Sequence, residues 1–394
     1  MTTKPKTVLM FMPQGEAFAQ MVSKGVSECA AAMHWSFVTV ECIRSDGGVA
    51  VARSPVEAGT VAELVALMRP DGVIVWGTVA TFSELRGAGG EHLPVVFIDR
   101  PFSANIPDEG RKGCVHGDAA AIAAMAAREL LSSGWGDFAF VPYKVDAPWN
   151  HERGDAFAHC IALAGKRCHN YERREASPTP LARWLESLPK PCGVLAANDV
   201  TGEEVLVACA TAGISVPDEI AVVSVDNLRH ICEATGPTLT SIAMDHFREG
   251  RAAAALLGRW MENPGAPPPS VSIPPLFIER RSSSRFLRDR RVARALEFIR
   301  LHACEEDFAV TDAIREMRLG RSQAFALFRA VTGRTMLDEV HAARLARAKE
   351  LLMARKPSDI VAAQCGYSSY NDFLRVFKRC TGKTVRQWVL ENRH

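Results

Sequence analysis

The stretch VLAANDVTGEEVLVACATAGISVPDEIAVVSVDN, residues 194–227, contains one complete strand–helix–strand unit. Two apolar runs, VLAA at its start and IAVVSV near its end, flank a longer helical segment. Uninterrupted apolar runs of this length are typical of strands in parallel sheets that helices cover on both faces. Asn198 and Asp226 directly follow the two strands, at the sheet edge where the ligands of such folds bind.

The same alternation of strands and helices extends over residues 7–284. We predict seven strands, at 7–12, 36–42, 72–76, 95–99, 137–142, 193–197 and 220–225. The helices predicted between them cover 16–33, 59–68, 118–133, 152–164 and 200–213. Two doubly wound lobes accommodate these elements better than one sheet does, so we predict a two-lobed α/β fold.

Polar and aromatic side chains stand at the ends of several predicted strands. Gln14 follows the first strand, Trp76 ends the third, and Asp99 ends the fourth. The carboxyl ends of parallel strands line the crevice in which such folds bind ligands. We therefore expect these three side chains, together with Asn198 and Asp226, to surround a small molecule.

The charge of the chain is distributed unevenly. Residues 288–394 contain 21 lysines and arginines against 13 acidic residues, a net charge of +8, whereas the rest carries −6. A basic region joined to a mildly acidic body predicts that the basic region meets a polyanion. A basic surface without a target is the alternative that composition alone leaves open.

The basic region is predicted to form an all-α domain. ERRSSSRFLRDRR, residues 279–291, is a polar, basic segment after which the strand pattern ends. We therefore divide the chain into a domain at 1–285 and a second domain at 286–394. Apolar spacing in the second domain predicts seven helices, at 288–302, 309–318, 321–331, 335–354, 357–364, 370–380 and 384–392.

Two helix pairs in this domain repeat one plan. Residues 310–335 and 358–384 each contain a helix, a turn and a second helix, and both end in Thr-Gly-basic-Thr. Internal repetition of this kind predicts two helix-turn-helix units. The ending TGKT is not a phosphate-binding loop, because such a loop needs a glycine at position 377, which is Phe377. We predict instead that the helix ends at Gly382.

This domain resembles the DNA-binding domain of the AraC family of bacterial transcription regulators. The resemblance covers residues 288–390 and is carried by Ala362, Ala363, Gly366, Tyr367, Ser368, Ser369, Phe373, Phe377, Lys378, Arg379 and Gly382, and by Arg344, Leu345, Ala348, Leu351 and Leu352 in the long helix. Val385 departs from the usual proline of the family. The first reading helix carries Phe325 and Ala326 where base-contacting side chains are expected, so it is open whether the first unit reads sequence.

The resemblance implies that helix 370–380 enters the major groove of double-stranded DNA. Asn371 is then placed to bind adenine, Arg375 to bind guanine or phosphate, and Leu374 to contact a thymine methyl group. The opposite face should be core and consists of Phe373, Val376, Phe377 and Cys380. Phosphate contacts are expected from Lys378, Arg379 and Lys383, and further DNA contacts from Ser369, Tyr370, Arg321, Ser322, Gln323 and Arg329. A solvated helix face is the alternative for any single one of these side chains.

Residues 7–284 resemble the effector-binding core of the LacI family, which is itself similar to periplasmic sugar-binding proteins. The resemblance is carried by Asp118, by Arg153 and Phe157, by the stretch 194–227, by PTLTSI at 237–242 and by IERRSS at 278–283. It implies a two-lobed, periplasmic-binding-protein-like domain that binds a small effector between its lobes.

The same resemblance assigns site residues. It implies that Arg153, Asn198 and Asp226 hydrogen-bond sugar hydroxyls, and vicinal hydroxyls do pair well with charged and amide groups. Trp76 or Trp149 would stack on the apolar face of the sugar ring. Plain packing is the alternative for the two tryptophans, and a salt bridge between the lobes is the alternative for Arg153 and Asp226.

Together these features predict a sugar-responsive transcription regulator that activates a carbohydrate catabolic operon. The expected partners are double-stranded DNA, a monosaccharide effector with a pentose as the narrower expectation, a second copy in a homodimer, and RNA polymerase. In the hypothesis, sugar closes the two lobes, and closure re-orients a dimer interface on the lobes, which places two C-terminal domains on paired DNA half-sites. A sugar-binding protein without a DNA role and a regulator of a non-sugar metabolite are the alternatives.

The chain lacks the sequence motifs of other function classes. The chain contains no nucleophile elbow, no GxGxxG and no metal-ligand spacing, so we expect no enzyme, no cofactor and no metal. Its eleven cysteines include no CxxC pair, which argues against the zinc-bound cysteine of methyl-accepting repair modules. The short apolar run at the N-terminus and the unpaired cysteine pattern favour the cytoplasm, and no stretch is long enough for a membrane span.

Overall fold

The N-terminal lobe is built on a seven-stranded sheet. Its strands are β1 (Thr7–Pro13), β2 (Ser36–Ser45), β3 (Gly48–Arg53), β4 (Gly72–Trp76), β5 (Val95–Ile98), β6 (Cys114–Gly117) and β12 (Val271–Ile273). The strand order is β12-β6-β5-β4-β1-β2-β3, and only β2 and β3 pair antiparallel. The helices of this lobe are α1 (Ala17–Ala32), α2 (Val61–Met68), α3 (Phe82–Gly89) and α9 (His246–Glu262).

The C-terminal lobe of the effector core has a six-stranded sheet. Its strands are β7 (Asp137–Val141), β8 (Arg167–Asn170), β9 (Cys192–Ala196), β10 (Ile220–Asp226), β11 (Thr240–Ala243) and β13 (Phe277–Glu279). Their order is β13-β11-β10-β9-β7-β8, and only β11 and β13 pair antiparallel. The helices of this lobe are α4 (Ala119–Leu131), α5 (Pro148–Leu163), α6 (Leu181–Ser187), α7 (Asp199–Thr211) and α8 (Arg229–Cys232).

These elements come from a computed structural model. It describes residues 5–13, 17–45, 48–53, 60–77, 82–89, 92–99, 113–132, 135–145, 147–173, 180–263, 268–284 and 289–392. Within them the chain passes between the lobes after β6, between β11 and α9, and between β12 and β13. Each lobe is therefore assembled from separate segments of the chain, and the carboxyl ends of both sheets can face one crevice.

The predicted two-lobed α/β fold is confirmed, but the predicted strand count is wrong. All seven predicted strands are present, and the described residues contain six more: β3, β6, β8, β11, β12 and β13. Each of these has only three to six residues. Most of them lack the uninterrupted, buried apolar run that reveals β4 and β5, which are also short, so their pairing partners rather than their own pattern make them strands.

All seven predicted helices of the C-terminal region are present. They are α10 (Arg290–His302), α11 (Val310–Met317), α12 (Arg321–Thr332), α13 (Met336–Met353), α14 (Ser358–Gln364), α15 (Tyr370–Thr381) and α16 (Val385–Asn392). Helices α11 and α12 form the first helix-turn-helix unit, and α14 and α15 form the second. The long helix α13 belongs to both units, because Val340 is buried in the core of the first and Leu351 in that of the second.

The repeated sequence has a repeated structure. Helices α12 and α15 both end at a left-handed glycine cap, Gly333 with φ 70° and Gly382 with φ 72°, a conformation that glycine adopts without steric cost. The predicted helix end at TGKT is thus confirmed. Phe373 and Phe377 are fully buried, as predicted. Cys380 is exposed, which contradicts the prediction that it is core, since it lies on the last turn of α15, beyond the buried stripe.

Candidate effector pocket and DNA-binding surface

A cavity of about 400 Å³ lies between the two lobes. The N-terminal lobe lines it with Pro13, Phe18, Cys42, Trp76, Asp99, Gly117, His246 and Glu249. The opposite lobe lines it with Tyr143, Val145, Trp149, Arg153, Asn198, Val200, Asp226 and Met244. Six of the seven side chains predicted to surround an effector, Asp99 among them, are therefore brought together here. The seventh, Gln14, lies outside the described residues.

Arg153 is the buried cation of the cavity. It lies on α5, one turn after Trp149, and only 8% of its surface is exposed. Its Nη1 donates a hydrogen bond to the carbonyl of Ala197, and its guanidinium carbon lies 5.0 Å from the centre of the Trp149 ring. Its buried Nε has no hydrogen-bond partner within the described residues. Because an unpaired buried donor is costly, a ligand oxygen at this nitrogen would be stabilising.

Carboxylates from both lobes surround this guanidinium. Burial, and after it the charge of nearby Glu249, raise the pKa of Asp99 to about 7 against the opposing charge of Arg153. Burial likewise raises the pKa of Asp226 to about 7, against the opposing charges of His246 and Arg153. Raised carboxylate pKa values of this kind indicate a binding site in which the negative charge of the buried carboxylates is not fully compensated without a ligand.

His246 connects the lobes across the cavity. Its Nδ1 lies 2.8 Å from Oε2 of Glu249, and its Nε2 lies 3.9 Å from Oδ1 of Asp226 in the other lobe. Burial would lower its pKa, but the carboxylates of Glu249 and Asp226 dominate and raise it to about 9. The buried Nε2 makes no hydrogen bond within the described part of the chain. A protonated His246 can therefore donate a hydrogen bond to a ligand hydroxyl between the lobes.

Asn198 also has a structural role that was not predicted from its position in the sequence. It is the N-cap of α7, where its Oδ1 accepts hydrogen bonds from Thr201 N at 3.0 Å and Thr201 Oγ1 at 2.8 Å. This cap satisfies a backbone donor at the helix start. Only the amide nitrogen of Asn198 is left for an effector, so the side chain can act as a donor there but not as an acceptor.

The aromatic side chains of the cavity pack against other residues of their own lobe and also line the cavity. Trp76 is buried in the core of the N-terminal lobe, and its ring centre lies 4.5 Å from that of Phe18. On the other side, the ring centres of Trp149 and Tyr143 lie 6.0 Å apart. The packing alternative and the stacking prediction are therefore compatible for both tryptophans, because one face of a ring can pack while the other faces a ligand.

His246, Glu249 and Phe18 were missed by sequence reasoning. His246 and Glu249 begin α9, which starts two residues after β11. The rule that ligands gather at strand ends would have pointed to them, but β11 itself was not predicted. Phe18 lies on α1 within a helical apolar pattern, and no feature of that pattern distinguishes it from a core residue.

The raised carboxylate pKa values predict a pH-dependent stability. Asp99 and Asp226 bind protons more tightly in the folded chain, so the ligand-free protein should lose stability as the pH rises from 3.8 to about 7. Asp226→Asn mimics the protonated form and should raise the melting temperature near pH 8 by about 2–4 °C, while weakening effector binding. Melting curves between about pH 5 and about pH 8 measure this effect. Asp155→Asn, at an exposed position of α5, is the control, and a pH-independent wild type would contradict the prediction.

The predicted DNA contacts on the second unit lie on one exposed side of α15. Asn371 and Arg375 are exposed, Leu374 is half-buried, and 78% of the Arg375 side chain is accessible, where it pairs with Asp372 at 2.5 Å. Ser369 caps the helix by accepting a hydrogen bond from Asp372 N at 3.1 Å. Tyr370 lies 2.8 Å from Ser358 through its hydroxyl group. Lys378, Arg379 and Lys383 are exposed beyond them.

The first unit presents fewer polar groups. Arg321, Ser322 and Gln323 are exposed at the start of α12, and Arg329 is exposed near its end. The guanidinium carbon of Arg321 lies 5.9 Å from the Phe325 ring centre. Aromatic contact of this kind restrains the arginine along the helix surface, which suits a phosphate contact better than base reading.

The described residues contain no group of three metal-ligand side chains in binding geometry. No helix among them is long and apolar enough to cross a membrane.

Known proteins resemble both parts of the chain. Residues 127–283 match the periplasmic binding protein-like domain, and residues 314–390 match a helix-turn-helix domain. The xylose operon regulatory protein of Escherichia coli (strain K12) is 30% identical over 271 residues, 66% of this chain and 69% of that protein. The xylose operon regulatory protein of Haemophilus influenzae is 29% identical over 288 residues, 69% of this chain and 73% of that protein. The solved structure of a xylose-binding transcription activator aligns with a TM-score of 0.55 and 24% identity, covering 99% of both chains.

Proposed function

The chain belongs to the family of the xylose operon regulatory proteins, and we propose that a pentose, with D-xylose as the first candidate, binds between its lobes. The protein is a sugar-responsive transcription regulator with a helix-turn-helix DNA-binding region. The narrower identity of the sugar and the activating sign of the regulation are inferred from the relatives.

The observation that carries the proposal is the position of Arg153 among the carboxylates of Asp99 and Asp226 in a cavity of about 400 Å³. A cavity of several hundred Å³ is in the range of small-molecule sites. Charged donors and acceptors in one cavity match the paired hydroxyls of a sugar ring, and Trp149 offers a flat apolar surface.

The charges of the cavity favour an uncharged sugar over a sugar phosphate. Asp99, Asp226 and Glu249 contribute three carboxyl groups, against the two cations Arg153 and His246. A phosphate group would add negative charge beside buried carboxyl groups, which is unfavourable at low effective dielectric constant. The alternative of a non-sugar effector is weaker, because aromatic surface and charged donors and acceptors together describe a polyol site.

We propose an effector domain at 1–285 and a DNA-binding domain at 286–394, with two copies forming a dimer on paired DNA half-sites. Activation would then require contact with RNA polymerase in the cytoplasm. The similar proteins are transcription regulators, which supports a role without catalysis and with DNA as the macromolecular partner.

The proposed mechanism is closure of the lobes over the sugar. Arg153, Asn198 and Asp226 would hold it from one lobe, and His246 and Trp76 from the other. A ligand bound more tightly by the closed state shifts the population toward that state.

A thermal-shift titration tests the sugar assignment. D-xylose at about 100 times its dissociation constant should stabilise the protein by about 2.7 kcal/mol, which raises the melting temperature by about 3–5 °C for a chain of this length. D-xylose 5-phosphate is the matched control and should produce little shift, for the electrostatic reason given above. A larger shift with the phosphate than with the free sugar would show that the cavity has been assigned to the wrong ligand class.

A further inference from the structure

The C-terminal end of α13, residues 349–355, contacts the N-terminal lobe. Lys24 on α1 donates a hydrogen bond from Nζ to the carbonyl of Ala354 at 3.0 Å. One turn further along α1, Glu28 pairs with Arg355 at 2.5 Å. The guanidinium carbon of Arg355 also lies 5.0 Å from the ring centre of Phe247, on α9 of the same lobe.

The same helix end contacts the other lobe. Oε1 of Glu350 accepts a hydrogen bond from Asn227 Nδ2 at 3.1 Å, and Oε2 of Glu350 lies 3.5 Å from Nη1 of Arg229. Lys349 lies 5.9 Å from the ring centre of Phe277 on β13. Seven consecutive residues of the DNA-binding region therefore bridge both lobes of the effector core.

The contact with Asn227 joins this bridge to the cavity. Asn227 directly follows Asp226, which lines the cavity, so one peptide bond and one hydrogen bond separate Asp226 from Glu350. Both residues of the turn have positive φ, 108° for Asp226 and 55° for Asn227, a conformation that costs a non-glycine residue about 1–3 kcal/mol. Such a turn persists only where its surroundings hold it.

Three groups hold the turn. The backbone N–H of Asn227 donates to Ser241 Oγ at 2.9 Å, and the next N–H, of Leu228, donates to Asp199 Oδ2 at 2.6 Å. The buried Arg281 donates from Nη2 to Asn227 Oδ1 at 2.8 Å. The turn therefore moves with its own lobe, and Glu350 follows the position of that lobe.

We propose that residues 349–355 form the contact that couples sugar binding to the orientation of the DNA-binding units. This inference rests on the proposed function, because it requires an effector that changes the angle between the lobes. One rigid helix end cannot keep both sets of contacts when that angle changes. Since α13 contributes to the cores of both helix-turn-helix units, a displacement of its end moves both units together.

Coupling between two sites is reciprocal, and binding at one site typically changes the affinity at the other by about 5–150-fold. Hydrogen–deuterium exchange on the full chain, with D-xylose as the probe, measures this coupling at residues 349–355. Sugar should change exchange there by about fivefold or more in the wild type. In Glu350→Gln, which keeps an oxygen for the Asn227 hydrogen bond but removes the charge that pairs with Arg229, this change should be clearly smaller, while the thermal shift caused by D-xylose remains.

Glu306→Gln is the matched control, because Glu306 is an exposed carboxylate of the same domain. If D-xylose stabilises the wild type but leaves the exchange at 349–355 unchanged, the inference of coupling is overturned and the sugar assignment stands. The same conclusion follows if exchange in Glu350→Gln responds to D-xylose as it does in the wild type. If D-xylose causes no thermal shift, the sugar assignment fails, and exchange measured on the ligand-free variants then tests the coupling contact. Exchange at 226–229 should be faster in Glu350→Gln than in Glu306→Gln, and equal rates in the two variants would overturn the inference of coupling.

Discussion

Arg153→Ala is expected to weaken D-xylose binding by about 100-fold or more and to abolish the sugar response of DNA binding. Hydrogen bonds to charged groups contribute about 1.5–3 kcal/mol each, and the guanidinium can offer more than one to a sugar. Its removal also leaves Asp99 and Asp226 with less opposing charge, so their carboxyl groups stay protonated to higher pH and accept hydrogen bonds less well. Basal DNA binding should remain, because the predicted contacts on α15 lie in the helical C-terminal region, away from the cavity.

Isothermal titration with D-xylose measures the loss of affinity directly, and DNA-binding titrations with and without sugar measure the lost response. Arg167→Ala removes the same charge from an exposed position on β8 and should behave like wild type. An Arg153→Ala protein that still responds at the wild-type sugar concentration would show that the effector binds elsewhere.

The double variant Asn371→Ala/Arg375→Ala is expected to lose about 100-fold or more in affinity for its operator. A bidentate contact between a side chain and a base contributes about 1–3 kcal/mol, so the loss of two such contacts corresponds to a loss of about 100-fold or more in operator affinity. Binding to unrelated duplex DNA should fall much less, because Lys378, Arg379 and Lys383 remain for the phosphates. The variant should therefore lose specificity more than non-specific affinity.

Fluorescence anisotropy with an operator duplex and a scrambled duplex, over a range of salt concentrations, separates the two effects. Arg315→Ala is a matched control, since Arg315 on α11 is 76% exposed and pairs with Asp312 at 2.5 Å, as Arg375 does with Asp372. Equal losses on both duplexes would contradict base reading by α15 and would assign its side chains to phosphates.

The helical C-terminal region could be predicted from local pattern almost completely. Its seven helices are long enough for the apolar stripe to repeat, and the glycine caps at Gly333 and Gly382 stop α12 and α15 where the sequence repeat indicates. Cys380 was the exception, because the periodicity of a stripe does not show where the neighbouring helices stop covering it.

The cavity could be predicted only in part. The rule for strand ends finds Trp76, Asp99, Asn198 and Asp226, and the resemblance finds Arg153 and Trp149. His246 and Glu249 were not found, since β11 is a strand only through its pairing with β10 and β13. The sequence also did not show that the side-chain oxygen of Asn198 caps the start of α7.

The sequence therefore established the two-lobed sheet class, the two helix-turn-helix units and a minority of the side chains that line the cavity. Tertiary packing alone set the raised pKa values of Asp99 and Asp226, because burial by both lobes causes them. It also brought Asn227 to Glu350, 123 residues further along the chain. Periodicity reports which face of an element is buried, but which distant residue covers that face depends on how the elements assemble.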